Sequence, residues 1–252
     1  MIEVFTQQYA GITTVHACPA GMREAPLPGV VFYHGFTSSA LVYSYCAVAL
    51  AMAGIRVIMP DAPDHGTRYQ GDEAGRLTRF WSILHQSLEE YPRLRDAVLE
   101  SGAVLPGALG VAGASMGGMT ALGIMARHPE VACAASLMGS GFYHARAATL
   151  FPPLAVFSRE DQRAFDQILA PLADYEASGH LRALGSRPLL LWHGLEDDVV
   201  PAADSLALQR MLQAQGLDTQ LSCHWQAGVR HRVTPEALDA TVRFFVRHLA
   251  EG

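Results

Sequence analysis

Hydrophobic positions change their period repeatedly along this chain, and each change marks an element. Residues 2–8 and 12–17 alternate apolar with polar around Gly11, which predicts a β-hairpin at a sheet edge. An unbroken apolar run at 29–33 predicts a buried strand, and the spacing over 40–53 predicts a helix that stops at Gly54. Residues 55–59 read as another buried strand, closed by Pro60. Over 73–100, Leu77, Phe80, Trp81, Leu84 and Leu88 fall at helical spacing, and Pro92 is expected to start a second segment. Strands over 109–112, 131–137, 188–192 and 219–225 then alternate with helices over 116–127, 203–215 and 235–250. Short apolar strands between helices imply the α/β class, with a mostly parallel central sheet covered by helices on both faces.

One stretch breaks the alternation. Between about 139 and 186 the chain runs through Gly139-Ser140-Gly141, then Phe151-Pro152-Pro153, then a helical segment near 159–184. Links in α/β units usually span about 2–6 residues, so this is an insertion. Insertions of that kind often serve as lids or substrate-binding elements. The alternative is an extra packing helix without substrate contact. The expectation is a single domain over 1–252 with a small helical lid over about 139–186.

Composition narrows the class of protein. Of 252 residues, 50% are hydrophobic and only 17% charged, with a mean hydropathy of +0.15. A disordered chain needs the opposite balance. The net charge of -6 and pI near 6.0 oppose an anionic polymer, so no nucleic-acid partner is expected. No apolar run approaches the roughly 18 residues of a membrane span. The first residues carry Glu3 and lack the basic start and apolar run of a signal peptide. Cys18, Cys46, Cys133 and Cys223 are far apart and are expected as buried thiols. Together these features point to the cytoplasm and leave the oligomeric state open.

The sharpest chemical signal is Gly113-Ala114-Ser115-Met116-Gly117. It follows a strand and opens a helix, the setting of a G-x-S-x-G nucleophile elbow. Such a turn strains the serine backbone, and side chains larger than hydrogen at the flanking positions would clash. The helix N-terminus aims backbone N–H groups at the site, where they favour developing negative charge. A serine hydroxyl also needs a base and an orienting acid, in the chain order Ser, Asp or Glu, His. The strand running into His193-Gly194 is followed by Glu196, Asp197 and Asp198. Asp197 is the first choice for the acid, Asp198 the second and Glu196 the third; spacing alone leaves them open. His231, on the loop between the last strand and the last helix, is the candidate base, whereas His224 lies within the strand.

An oxyanion hole requires the N–H of Met116, after the nucleophile, and a second N–H from the loop at the end of strand 29–33. That loop reads His34-Gly35-Phe36-Thr37-Ser38-Ser39, and the N–H of Phe36 is assigned to the task. His34 is expected as a packed, hydrogen-bonded side chain, His193 as a loop-stabilising one, and Ser38 and Ser39 as caps of the next helix. Asp61, Asp64 and His65 suggest a metal site, but without a second ligand cluster nearby a loop-stabilising role is favoured. Phe142, Tyr143, Phe151, Phe157 and Phe165 either line an acyl pocket or form the insertion's own small core.

The strings Phe32 to Ser39, Pro60 to Gly66, Gly113 to Gly118, Trp192 to Pro201 and Gly228 to His231 resemble the α/β-hydrolase superfamily. Within it they resemble the dienelactone-hydrolase and prolyl-oligopeptidase-like branch, closest to the bacterial YjfP-type esterases. The likeness runs over nearly the whole chain, 2–250. It implies a carboxylesterase acting on short-chain acyl esters through an acyl-enzyme, with Ser115, Asp197 and His231 as the triad and no cofactor or metal. Dienelactone hydrolases proper carry cysteine where this chain has Ser115, which speaks against that activity. The oligopeptidases' propeller domain is absent, which speaks against peptidase action. An acyl-CoA thioesterase or deacylase would use the same triad, with Arg146, Arg159, Arg163, Arg182 and Arg187 as a source of a basic rim. A non-catalytic, ligand-binding relative is the remaining alternative.

Overall fold

The computed structural model describes residues 1–250. Its centre is an eight-stranded sheet in the order β1-β2-β4-β3-β5-β6-β7-β8. The hairpin of β1 (Ile2–Tyr9) and β2 (Ile12–Pro19) forms one edge, and β2 pairs antiparallel with β4 (Arg56–Pro60). From β4 onward all pairing is parallel, through β3 (Leu27–Tyr33), β5 (Val104–Ala114), β6 (Ala134–Leu137), β7 (Leu189–Gly194) and β8 (Leu221–Gln226).

The unbroken apolar runs follow from burial on both faces. Successive side chains of a strand point to opposite sides. Val31, Tyr33, Val111, Leu189 and Leu191 enter one core with α3 (Phe80–Glu100) and α4 (Met116–Arg127). Val30, Phe32, Ala112 and Leu190 enter the other, with α1 (Ser44–Met52) and α9 (Pro235–Phe245). The remaining helices are α2 (Glu73–Thr78), α5 (Tyr143–Ala147), α6 (Arg159–Leu169), α7 (Leu181–Gly185) and α8 (Ala202–Ala214). Among the described residues, no helix is long and apolar enough to cross a membrane.

Several boundaries differ from the sequence expectations. Pro92 does not begin a segment but lies inside α3; the break falls at Arg79, whose side chain reaches Asp64 and Asp72. β5 begins at Val104 rather than 109 because Val104 pairs with Leu27 across an irregular register. β6 is confined to Ala134–Leu137, and the last helix gives way after Phe245 to a wider turn over Val246–Ala250. Ser39 accepts from Val42 N–H, a turn before α1 starts, so neither it nor Ser38 caps that helix.

The insertion is not one helical segment. α6 ends at Leu169, and Pro171 heads a tighter 3-10 turn over Ala170–Tyr175, followed by a second over Ala177–Gly179 and then α7. Tyr143 donates its hydroxyl to Met119 O at 2.8 Å, and Trp81 Nε1–H reaches Leu150 O at 3.0 Å. Arg146 pairs with Asp204 at the start of α8. These contacts fasten the insertion to α4, α3 and α8, above the C-terminal ends of the parallel strands. Open α/β sheets place their ligands at that end.

Candidate active site

Ser115 joins β5 to α4 with φ 57° and ψ −119°, a backbone conformation that side-chain-bearing residues rarely adopt. Glycines make the turn possible. A Cβ at Gly113 would overlap the Gly117 backbone, and one at Gly117 would overlap the Tyr33 carbonyl. Ser115 N–H is tied to Leu137 O at 2.9 Å, which fixes the turn against β6. Ser115 thus sits just beyond the C-terminal end of the central strand β5.

His231, on the loop between β8 and α9, comes to the same place. Its Nε2 lies 2.8 Å from Ser115 Oγ, and its Nδ1 lies 2.7 Å from Asp197 Oδ2. A carboxylate only accepts, so Nδ1 carries the proton and Nε2 is free to accept from the serine hydroxyl. Asp197 is side-chain buried, and its Oδ1 accepts from the N–H groups of Val199 and Val200 at 2.9 Å each. Burial alone would raise its pKa. The hydrogen bonds from His193, His231 and Val199 N–H outweigh that and hold the carboxyl far below the usual range.

The structure separates the three adjacent acids. Glu196 accepts from Val229 N–H at 3.0 Å, and Asp198 pairs with Arg230 on the surface. Only Asp197 meets His231. His193, expected to stabilise a loop, is buried with Nδ1 2.8 Å from Ser205 Oγ and Nε2 2.8 Å from Val200 O of the 194–200 loop. Its contact with Asp197, at 3.2 Å, escaped the sequence reading. The available signal was its place at the strand end four residues before the acid.

The loop after β3 runs beside the serine: a Cβ at Gly35 would lie 3.5 Å from Ser115 Cβ. Among the described residues, neither Phe36 N–H nor Met116 N–H donates to a protein acceptor, which leaves both available. Two neutral histidines hold the loop in shape. His34 donates from Nδ1 to Gly35 O at 2.7 Å and accepts Ala62 N–H at Nε2 at 3.0 Å. His65 donates from Nδ1 to Pro63 O at 2.8 Å and accepts Thr37 N–H at 3.0 Å. Burial lowers both imidazoles, His34 to about 4. Asp61 accepts from Ala40 N–H and from both the N–H and hydroxyl of Thr67, while Asp64 pairs with Arg79. The acids and histidine of 61–65 thus hold the loop together, as expected.

The insertion's aromatics lie in different surroundings. Tyr143 is buried against α4 and Trp81, Phe165 is buried, and Phe157 is 92% exposed. Phe151 reaches the site: its ring lies 5.0 Å from that of Phe36 and 5.2 Å from that of Phe80. An imidazole poised between a hydroxyl and a buried carboxylate, beside two free N–H groups, is suited to nucleophilic acyl transfer.

Residues 54–252 match the model of the prolyl oligopeptidase family. The chain is 59% identical to esterase YjfP of Escherichia coli strain K12, over 99% of this chain and 100% of that one. It is 29% identical to the putative esterase YitV of Bacillus subtilis strain 168, over 99% and 100% of the two chains. Among solved structures, TT1662 from Thermus thermophilus superposes with a TM-score of 0.80 at 22% identity, covering 99% of this chain and 98% of that one, and so shares the fold. The chain belongs to the prolyl oligopeptidase family and is a serine hydrolase with the α/β-hydrolase fold.

Proposed function

We propose that the protein is a carboxylesterase that hydrolyses short-chain acyl esters of small molecules through an acyl-enzyme. The observation that carries this reading is the continuous line Ser115 Oγ, His231, Asp197, with contacts of 2.8 and 2.7 Å. His231 Nε2 takes the hydroxyl proton as Ser115 Oγ attacks the ester carbonyl. Asp197 fixes the imidazole tautomer and stabilises its charged form. The N–H groups of Phe36 and Met116 receive the tetrahedral oxyanion. His231 returns the proton to the leaving alkoxide, which departs as the alcohol. Water then attacks the acyl-serine by the same proton path, releasing the acid and restoring Ser115.

Support for small acyl groups comes from the rings of Phe36, Phe80 and Phe151, which already occupy the apolar space beside the oxyanion loop. The insertion over 139–186 acts in this reading as the lid of a single domain. The thioesterase alternative loses part of its basic rim: Arg146 is paired with Asp204, and Arg187 donates to the carbonyls of Met125, His128, Val131 and Ala183. The cytoplasm suits the four unpaired cysteines, which stay reduced there.

The test is labelling with a fluorophosphonate, location of the adduct by peptide mass spectrometry, and turnover of p-nitrophenyl acetate and butyrate. Labelling at Ser115, with at least about a 1,000-fold loss of kcat in Ser115→Ala, is the expected result. Turnover near wild type in that variant sinks the assignment. A higher kcat/KM for acyl-CoA than for simple esters transfers the reading to a thioesterase. No labelling and no turnover points to a non-catalytic binding protein.

A further inference from the structure

His193 closes β7 with its side chain fully buried, against the carboxylate that holds His231. Its Nε2 is 2.8 Å from Val200 O and 3.2 Å from Asp197 Oδ2. A carbonyl and a carboxylate only accept hydrogen bonds, so Nε2 bears a proton. Nδ1 lies 2.8 Å from Ser205 Oγ on α8. Ser205 Oγ also lies 3.3 Å from Gly139 O, at the start of the insertion.

The Asp197 carboxylate is thereby held at both oxygens. Oδ1 accepts two backbone N–H groups, Oδ2 accepts from His231, and His193 Nε2 lies 3.2 Å from that same oxygen. The other charged groups nearby have partners of their own: Glu196 bonds Val229 N–H, Asp198 pairs with Arg230, and Asp204 with Arg146. Among the described residues, His193 and His231 are the only side chains with a nitrogen within 4 Å of an Asp197 oxygen.

We infer that His193 is a positioning residue for the reaction: its Nε2–H, shared between Val200 O and Asp197 Oδ2, aims that oxygen at His231 and ties the 194–200 loop to β7. The inference rests on the roles proposed for Ser115, His231 and Asp197. It has two physical consequences. A carboxylate with one oxygen unrestrained can turn away from the imidazole, and the second donor removes that freedom. Sharing Oδ2 also makes it less basic, so the proton stays on His231 Nδ1 when the ring becomes charged. His193 acts only through Asp197.

The test compares His193→Asn with His193→Gln. A glutamine amide nitrogen reaches the place of imidazole Nε2 and donates there, whereas an asparagine reaches only the place of Nδ1. His193→Asn is expected to lower kcat on p-nitrophenyl butyrate roughly ten- to a hundredfold, the loss a small misplacement of a catalytic group produces, with KM little changed. The acid limb of kcat/KM should move to higher pH, because Asp197, with one donor fewer, attracts the protonated base more strongly. His193→Gln should restore most of kcat and return the limb to its wild-type position. Wild-type kcat in His193→Asn, a fixed acid limb, or no recovery in His193→Gln overturns the proposal.

If His193→Asn fails to fold, the unaltered protein decides. Its long-range 1H–15N spectrum should show His193 as the Nε2–H tautomer, with a resonance that moves in Asp197→Asn. An Nδ1–H tautomer, or a resonance blind to Asp197→Asn, overturns the proposal. Failure of the triad reading is seen separately, as turnover retained in Ser115→Ala.

Discussion

Gly117 lies so close to Tyr33 that a Cβ at 117 would sit inside the Tyr33 carbonyl, and 2.8 Å from His34 O as well. This contact sets the first turn of α4 directly on the end of β3. It brings the His34-Gly35-Phe36 loop and Ser115 into one site, since the two backbones touch with no side chain between them. Gly117→Ala is therefore expected to cost about 3 kcal/mol of stability, because no rotamer change relieves a clash with backbone. Urea unfolding measures it. A variant with wild-type stability and activity would show that the two backbones are free to separate.

The choice among Glu196, Asp197 and Asp198 has a kinetic counterpart. Asp197→Asn should lower kcat roughly 10,000-fold, because an amide there favours the wrong imidazole tautomer. Asp198→Asn gives up only a surface pair with Arg230 and should keep kcat within about twofold. Glu196→Gln keeps an oxygen for Val229 N–H and should behave likewise. The three variants are compared by kcat on p-nitrophenyl butyrate. A severe loss in Asp198→Asn beside an active Asp197→Asn would reverse the assignment.

Most of this site was legible because its parts obey local rules. The elbow needs small residues around Ser115, and the base needs a loop after the last strand, so both stand out in the chain. Asp197 over Asp198 was not fixed by spacing, since a loop turns either acid toward the histidine; in the structure it is Asp197 Oδ2 that lies 2.7 Å from His231 Nδ1. His193 escaped for a different reason. A histidine before glycine at a strand end looks the same whether it packs or touches an acid, and only the curl of 194–200 brings Asp197 back against it. The Pro92 expectation failed because a helix docked on a sheet tolerates one missing N–H, while the Arg79 pairs with Asp64 and Asp72 stand at the true break.

The buried histidines make stability depend on pH. Burial, aided by Arg56 and Arg23, holds His16 down at about 3, and burial holds His34 at about 4. Below about pH 6.5 the unfolded chain binds protons at these sites that the folded chain refuses. Stability therefore falls as the pH drops from 6.5 toward 4, each histidine contributing on the order of a few kcal/mol. Asp197, whose folded pKa is depressed, adds a loss only below about pH 4, where the unfolded carboxyl takes up its proton. The urea midpoint should decline between pH 6.5 and 4.5, and His16→Gln should flatten the decline. A midpoint constant over that range would mean these imidazoles charge freely in the folded state.

Phe151 is where the insertion meets the site, and it tests whether the insertion sets acyl length. Its backbone is held at φ 46°, Leu150 beside it accepts from Trp81, and its ring fills the angle between Phe36 and Phe80. Removing the ring in Phe151→Ala opens apolar volume next to the Phe36 N–H without touching Ser115, His231 or Asp197. Each methylene that enters such space gains up to about 0.8 kcal/mol. The ratio of kcat/KM for p-nitrophenyl octanoate over acetate should accordingly rise about tenfold or more, since a few methylenes suffice for that gain. Acetate turnover itself should stay near wild type, because a two-carbon acyl group has no atoms to place in the new space. An unchanged ratio would mean that the three rings only pack the insertion in place, and that acyl selection resides elsewhere.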